Sequence, residues 1–255
     1  MANSVLAISL KSFFSALGCL MLATLIYTIS IDGLPFRKDL LTPWMAATLI
    51  DFYINIVAIG VWVLYKEGNW VSGILWLVLL VCFGSITTCG YIVLQLFKLS
   101  PRDSLQDPIY FLLLHDKTQI EVEKKKIYSV VSSRVLFSVL GCIMLGTLLY
   151  TLVTDGSPFR KELFTPWMTA TLIDFYINVA VLSVWVVYKE SSWTSAIFWI
   201  VLLVCFGSIT TCVYIVWQLF HLGPQDPVSL VLFRSSNRAE NMYEGIIHQD
   251  YNTRV

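Results

Sequence analysis

Charge is scarce in this chain of 255 residues: Lys, Arg, Asp and Glu together make up 13% of it, against 57% hydrophobic residues. A soluble domain could not cover so much apolar surface with so few charges, so a bilayer is the natural solvent. The formal net charge is zero and the basic residues are scattered, which argues against a nucleic-acid partner. Histidine occurs three times, never within a long apolar stretch. There is no His-Glu-x-x-His, no Gly-x-Ser-x-Gly and no glycine loop of the phosphate-cradling kind. An enzyme is therefore the weakest reading, and no cofactor or metal is expected. The N-terminus has neither the basic region and small-residue cleavage site of a secretory signal nor the Arg- and Ser-rich look of a transit peptide, so the first apolar stretch is expected to act as an uncleaved insertion signal. The six cysteines fall as matched pairs inside apolar segments, Cys19, Cys82 and Cys89 recurring as Cys142, Cys205 and Cys212. They read as reduced, small hydrophobes.

What the chain does have is an internal duplication. Residues 11–99 align without a gap onto 134–222 at a constant offset of 123, and 60 of the 89 positions are identical. Each copy holds three long apolar stretches, opening in the first copy near Val5, Pro43 and Trp70. The turn Asp32-Gly33-Leu34-Pro35 and the pair Lys66-Glu67 separate them, and both recur in the second copy, as Asp155-Gly156-Ser157-Pro158 and Lys189-Glu190. Thr42-Pro43 and Thr165-Pro166 carry the cap and first-turn proline of a helix start. Gln106-Asp107-Pro108 and Gln225-Asp226-Pro227 precede apolar runs too short to span, which belong in the interface.

The expected fold is an all-α integral membrane protein of six transmembrane helices, built from two tandem three-helix repeats. An odd number of spans per repeat makes the second copy inverted. The first repeat covers 1–110, a polar and basic linker 111–126, the second repeat 127–233, and a flexible tail 234–255. Counting Lys and Arg on the two sides of such a fold gives seven against ten, which places the linker in the cytosol and both termini on the far side.

Asp51 and Asp174 are the ionisable groups deepest in the apolar stretches, each eight residues past its span-opening proline and so about 12 Å along the helix. Intramembrane carboxylates default to a functional role. Thr48, Asp51 and Asn55 share one helix face with Trp44 and Trp62, and Tyr91 and Gln95 share a face of the third stretch with Gly84 and Thr88. Both stripes recur, with Thr171, Asp174 and Asn178 on one and Tyr214 and Gln218 on the other. These ten residues are the candidate ion- or substrate-binding set. The bland alternative is that the same polar faces hold the bundle together by hydrogen bonds.

The block Thr-Pro-Trp-Met, then Thr48-Leu49-Ile50-Asp51-Phe52-Tyr53-Ile54-Asn55, then Lys-Glu, then Cys82-Phe83-Gly84-Ser85-Ile86-Thr87-Thr88-Cys89 resembles a plant multi-span membrane family catalogued as a domain of unknown function. The resemblance covers nearly the whole chain and imports no activity, ligand or site. Two readings follow from the residues. The first is a small-solute or proton-coupled transporter using midplane aspartates. The second is a non-transporting membrane scaffold or accessory subunit, whose polar faces serve packing, a membrane-protein partner or a homo-oligomer. In either, the lipid bilayer is the surrounding partner and the protein is integral and multi-pass, in a membrane the sequence does not name.

Overall fold

The computed structural model describes residues 2–35, 37–100, 106–114, 130–223 and 226–234, and every regular element among them is helical. The first repeat supplies α1 (Ala2–Asp32), α2 (Pro43–Glu67), α3 (Trp70–Phe83), α4 (Ser85–Lys98) and α5 (Pro108–Leu113). The second supplies α6 (Val130–Asp155), α7 (Pro166–Lys189), α8 (Trp193–Phe206) and α9 (Ser208–Phe220), with a 3-10 turn at Val228–Val231 in the place of α5. Helix α5 runs past the expected repeat boundary at 110. The rest of the linker and the tail after Arg234 lie outside the described residues.

The helix starts follow from the caps in the sequence. The Met45 amide donates to the Thr42 hydroxyl and the Met168 amide to that of Thr165, each at 3.2 Å, with proline at the first helical position where no amide is needed. Asp107 accepts the amides of Ile109 and Tyr110 at the start of α5.

The third apolar stretch is not one span. It breaks at Gly84, whose φ of 52° and ψ of −126° leave the helical region, and in the copy at Gly207 with φ 54° and ψ −128°. A straight helix would set Trp76 and Tyr91 about 22 Å apart. Their ring centroids lie 4.9 Å apart, and Gln95 near the end of α4 donates to Glu67 at the end of α2 at 3.0 Å. The chain therefore doubles back at Gly84, and α3 and α4 form a helical hairpin. Each arm of 14 residues rises about 21 Å, short of a hydrocarbon core of about 30 Å. Four helices, α1, α2, α6 and α7, are long and apolar enough to cross a membrane.

Within the bundle the second repeat is not turned over relative to the first. The contacts agree. Trp44, Met45, Trp167 and Met168 form one cluster at the proline ends of α2 and α7, where the Trp167 indole also donates to the Gly33 carbonyl at 3.2 Å. At the opposite end Tyr110 meets Phe233 with centroids 5.4 Å apart. In place of the expected six spans in inverted copies, the described residues form four long apolar helices and two hairpins, in copies pointing the same way. The sequence alone does not separate the two arrangements, because a hairpin and a straight span have the same length and hydrophobicity.

The two copies meet along a pseudo-twofold axis. One core cluster consists of Phe52, Ile56, Ile59, Val63, Leu80 and Tyr91 together with the copies of all six. Helices also cross over: α1 packs against α4 of its own repeat and α7 of the other, and α6 against α9 and α2. Gly18 lets α1 approach α4 closely and Gly141 lets α6 approach α9, since a Cβ would sit 3.3 Å from the Cβ of Cys89 and 3.2 Å from that of Cys212. Those two cysteines are buried, whereas the other four are exposed on the bundle surface, and all six are unbridged.

Candidate functional site at the hairpin tips

A hairpin that turns inside an apolar layer strands backbone groups that water cannot reach. At the first tip, three carbonyls near the end of α3 find donors. The Thr87 hydroxyl donates to Leu79 O at 2.9 Å, the Gly84 amide to Leu80 O at 2.9 Å, and the Tyr53 hydroxyl reaches Val81 O at 3.5 Å. The second tip repeats the pattern, with Thr210 on Leu202 O, Gly207 on Leu203 O and Tyr176 on Val204 O.

The opening amides of α4 and α9 are the other stranded groups, and they carry the positive end of the helix dipole. Here Asp51 and Asp174 enter. The Ser85 amide donates to Asp174 Oδ1 at 2.7 Å, and the Ser208 amide donates to Asp51 Oδ1 at 2.7 Å. Each aspartate thus caps a half-helix of the other repeat. Gly84 and Gly207 are required twice over at this point. Their positive φ disfavours any residue with a Cβ, and a Cβ would come within 3 Å of the capping carboxylate and of Phe52 or Phe175.

More polar groups gather at this depth than the caps use. Asn55, one turn beyond Asp51, is fully buried and accepts from the Thr211 hydroxyl at 2.8 Å, again across the repeats. Its Nδ2 has no partner. Asn178 is equally buried with neither amide atom paired, and Thr88, the copy of Thr211, donates back to Gly84 O at 3.3 Å. The Ser85 and Ser208 hydroxyls lie beside the capping carboxylates, fully buried, without a completed hydrogen bond.

The ten expected site residues divide into separate groups. Asp51, Asn55, Asp174 and Asn178 are at the tips. Thr48 and Thr171 bond back to Trp44 O and Trp167 O of their own helices, both at 2.9 Å, and Trp44 and Trp167 are buried in the cluster at the proline ends. Tyr91 and Gln95 belong elsewhere, at the base of the hairpin. There Glu67 accepts from the Tyr91 hydroxyl at 2.8 Å, from Gln95 at 3.0 Å and from the Ser72 hydroxyl at 2.5 Å. Glu190 does the same with Tyr214, Gln218 and Ser195. One carboxylate therefore ties α2 to both arms of its hairpin. The neighbouring lysines close the same end: Lys66 donates to the carbonyls of Phe111 and Leu114, and Lys189 to those of Val231 and Phe233. Glu67, Ser85, Gly84 as a turn, and Thr211 as a partner of Asn55 were not among the expected site residues. Their signals were the unchanged Lys-Glu pair and the glycine-serine step inside an apolar run.

Outside these clusters the described residues also form an apolar groove. It has a volume of about 600 Å3 and runs between α1 and α7, walled by Leu6, Leu10, Phe13, Val184 and Tyr188, a lining suited to an acyl chain.

The chain belongs to the family described as protein of unknown function DUF1475, which matches it twice, over residues 2–120 and 104–239. No curated protein and no solved structure matches it.

Proposed function

We propose that this protein is a transporter of a small solute, coupled to protons, whose working site is the pair of hairpin tips with Asp51 and Asp174. The observation that carries the reading is the reciprocal cap: at mid-depth, each broken-helix N-terminus faces a carboxylate from the other repeat. Broken helices and intramembrane carboxylates are what membrane carriers use to hold ions and substrates. A carboxylate near the bilayer centre costs about 2.5–3.5 kcal/mol on insertion scales. A bundle needing only stability could be built more cheaply from apolar side chains, and this one keeps the carboxylate twice.

The arrangement also suggests an orientation. The ends of both hairpins, both linker flanks and the start of α1 share one side. Thirteen of the 17 Lys and Arg belong to that side and its connecting segments, leaving Arg37, Lys38, Arg160 and Lys161 for the other. The positive-inside rule then puts the termini and the linker in the cytosol.

The test is reconstitution. Purified protein in liposomes is assayed for proton flux with an internal pH dye, and for water, glycerol and urea permeation by light scattering. Flux above empty liposomes that disappears in Asp51→Asn and Asp174→Asn supports the reading. If every flux matches that of empty liposomes, in wild type and variants alike, the transport role is abandoned.

A second reading, a membrane scaffold or accessory subunit engaging another membrane protein or a second copy, is favoured by the clusters at Glu67 and Glu190. Their polar groups satisfy one another entirely within the bundle. That reading expects the aspartate variants to lose stability or partner capture while no flux changes.

A further inference from the structure

The contacts of the tip carboxylates, and that of Asn55, cross from one repeat to the other. Asp51 and Asn55 of α2 meet Ser208 and Thr211 of α9, while Asp174 of α7 meets Ser85 of α4. Neither repeat completes a tip by itself, so an event at one aspartate acts on the hairpin of the opposite repeat.

The titratable neighbours of these carboxylates are few. Cys212, Tyr176 and, beside Tyr176, Cys205 face the Asp51 side, and Cys89 faces Asp174. Among the described residues the ion pairs are Arg37–Asp32 and Arg160–Asp155, at the loops, so neither tip carboxylate has a basic side chain paired with it. A negative charge at mid-depth is then held by the half-helix N-terminus, through one short amide hydrogen bond with a serine hydroxyl beside it, and by no cation.

The same surroundings favour a second state of the carboxyl group. A neutral acid accepts the helix amide less strongly, but it gains an O–H to donate. An acceptor lies one turn along the same helix: Asn178 stands four residues after Asp174, with both carboxamide atoms buried and unpaired. The acid O–H can donate to Asn178 Oδ1 while Asn178 Nδ2 donates back to the acid carbonyl. The proton comes from hydronium in the aqueous phase, which becomes water; the carboxylate becomes a carboxylic acid, and no other group of the protein changes state. The two carboxamide atoms of Asn178 left unpaired in the capped arrangement gain partners in the released one, and on the other side Asn55 Nδ2 gains one from neutral Asp51 in the same way.

We propose that each re-entrant hairpin is a gate latched by the aspartate of the opposite repeat, and that a proton on that aspartate releases the tip. The idea rests on the transport reading of the same site and adds to it which element moves and what moves it. It differs from rigid rocking of one repeat against the other, in which both caps would persist or break together.

The experiment reads the tip directly, without flux. All six native cysteines are replaced by alanine, and a single Ser85→Cys or Ser208→Cys change is introduced in protein held in lipid nanodiscs. Labelling by a membrane-impermeant maleimide is timed in each background with Asp51→Asn or Asp174→Asn, asparagine being the neutral side chain that can both donate and accept. Loss of one charge-assisted hydrogen bond is worth about tenfold in the opening equilibrium. The expected result is crossed: Asp174→Asn speeds labelling at position 85 by about that factor and leaves 208 slow, and Asp51→Asn does the reverse. Equal acceleration at both tips means general loosening and overturns the latch, as does no acceleration at either. Crossed labelling in a protein without flux keeps the latch and removes the transport reading. Flux without crossed labelling does the opposite.

Discussion

Asp51 Oδ1 accepts the Ser208 amide at 2.7 Å, although the two residues are 157 positions apart and belong to different repeats. Two hairpin tips and two carboxylates are thereby joined into one interlocked unit, because Asp174 and Ser85 make the same bond in return. Removing the acceptor should be costly. Asp51→Ala leaves the Ser208 amide at mid-depth without a partner, which costs about 1–3 kcal/mol for an unsatisfied buried donor. The thermal midpoint of the detergent-purified protein should fall for Asp51→Ala and fall less for Asp51→Asn, which keeps an acceptor. Equal losses for the two variants would mean that the hydrogen bond contributes little beyond side-chain packing.

Topology provides a sharper check. Reporter tags in the loops at 36–39 and 159–162 should face the same side of the membrane, because both precede helices that start at the same end of the bundle. A tag between α2 and α3 should face the other side, together with a tag in the linker. Opposite sides for the first two loops would restore three crossings per repeat and contradict the hairpins.

These two expectations show which features the sequence displays and which it conceals. The duplication, the Thr-Pro helix starts and the depth of Asp51 can all be read from residue order, because caps and helical rise are local properties. The fold-back at Gly84 is not legible in the same way. Glycine in an apolar run suits a kink, a close packing contact or a reversal equally well, and the 28 residues of two arms have the hydrophobicity of one long span. The expected site residues fall into separate groups for a related reason. Tyr91 and Asp51 were grouped on the assumption of a straight third span. Once the chain doubles back, Tyr91 returns to the base of the hairpin and meets Glu67 instead.

Glycine at the tip can be separated from glycine in an ordinary turn. Gly84→Ala combines an unfavourable left-handed φ with a Cβ placed against Asp174 and Phe52, whereas Gly33→Ala has a similar φ but open space around it. Strain alone costs roughly 1–2 kcal/mol, and the overpacking at Gly84 adds about 1–3 kcal/mol more. Urea- or heat-induced unfolding should therefore rank Gly84→Ala well below Gly33→Ala. A tie would show that the tip has room to relax.

The carboxylate at the hairpin base allows the most quantitative test. Glu67 accepts from Tyr91, Gln95 and Ser72, so deleting one donor removes one bond of three. Hydrogen bonds inside helical membrane proteins average about 0.6 kcal/mol, with a maximum near 1.7 kcal/mol. Tyr91→Phe should cost an amount in that range. Tyr91→Phe combined with Glu67→Gln should cost less than the sum of the two, because both changes touch the same bond. The equivalent changes Tyr91→Phe and Tyr214→Phe act on two carboxylates, Glu67 and Glu190. The two rings share one core cluster, so some coupling through packing is expected, but the hydroxyls themselves should contribute independently. A double-mutant cycle on unfolding free energies measures both pairs. Coupling for Tyr91 with Glu67 that is no greater than for Tyr91 with Tyr214 would mean that the hydrogen bond adds nothing to the packing of the rings. The hairpin base would then be held by its tryptophans, Trp62 and Trp76, which pack edge-on against Tyr91.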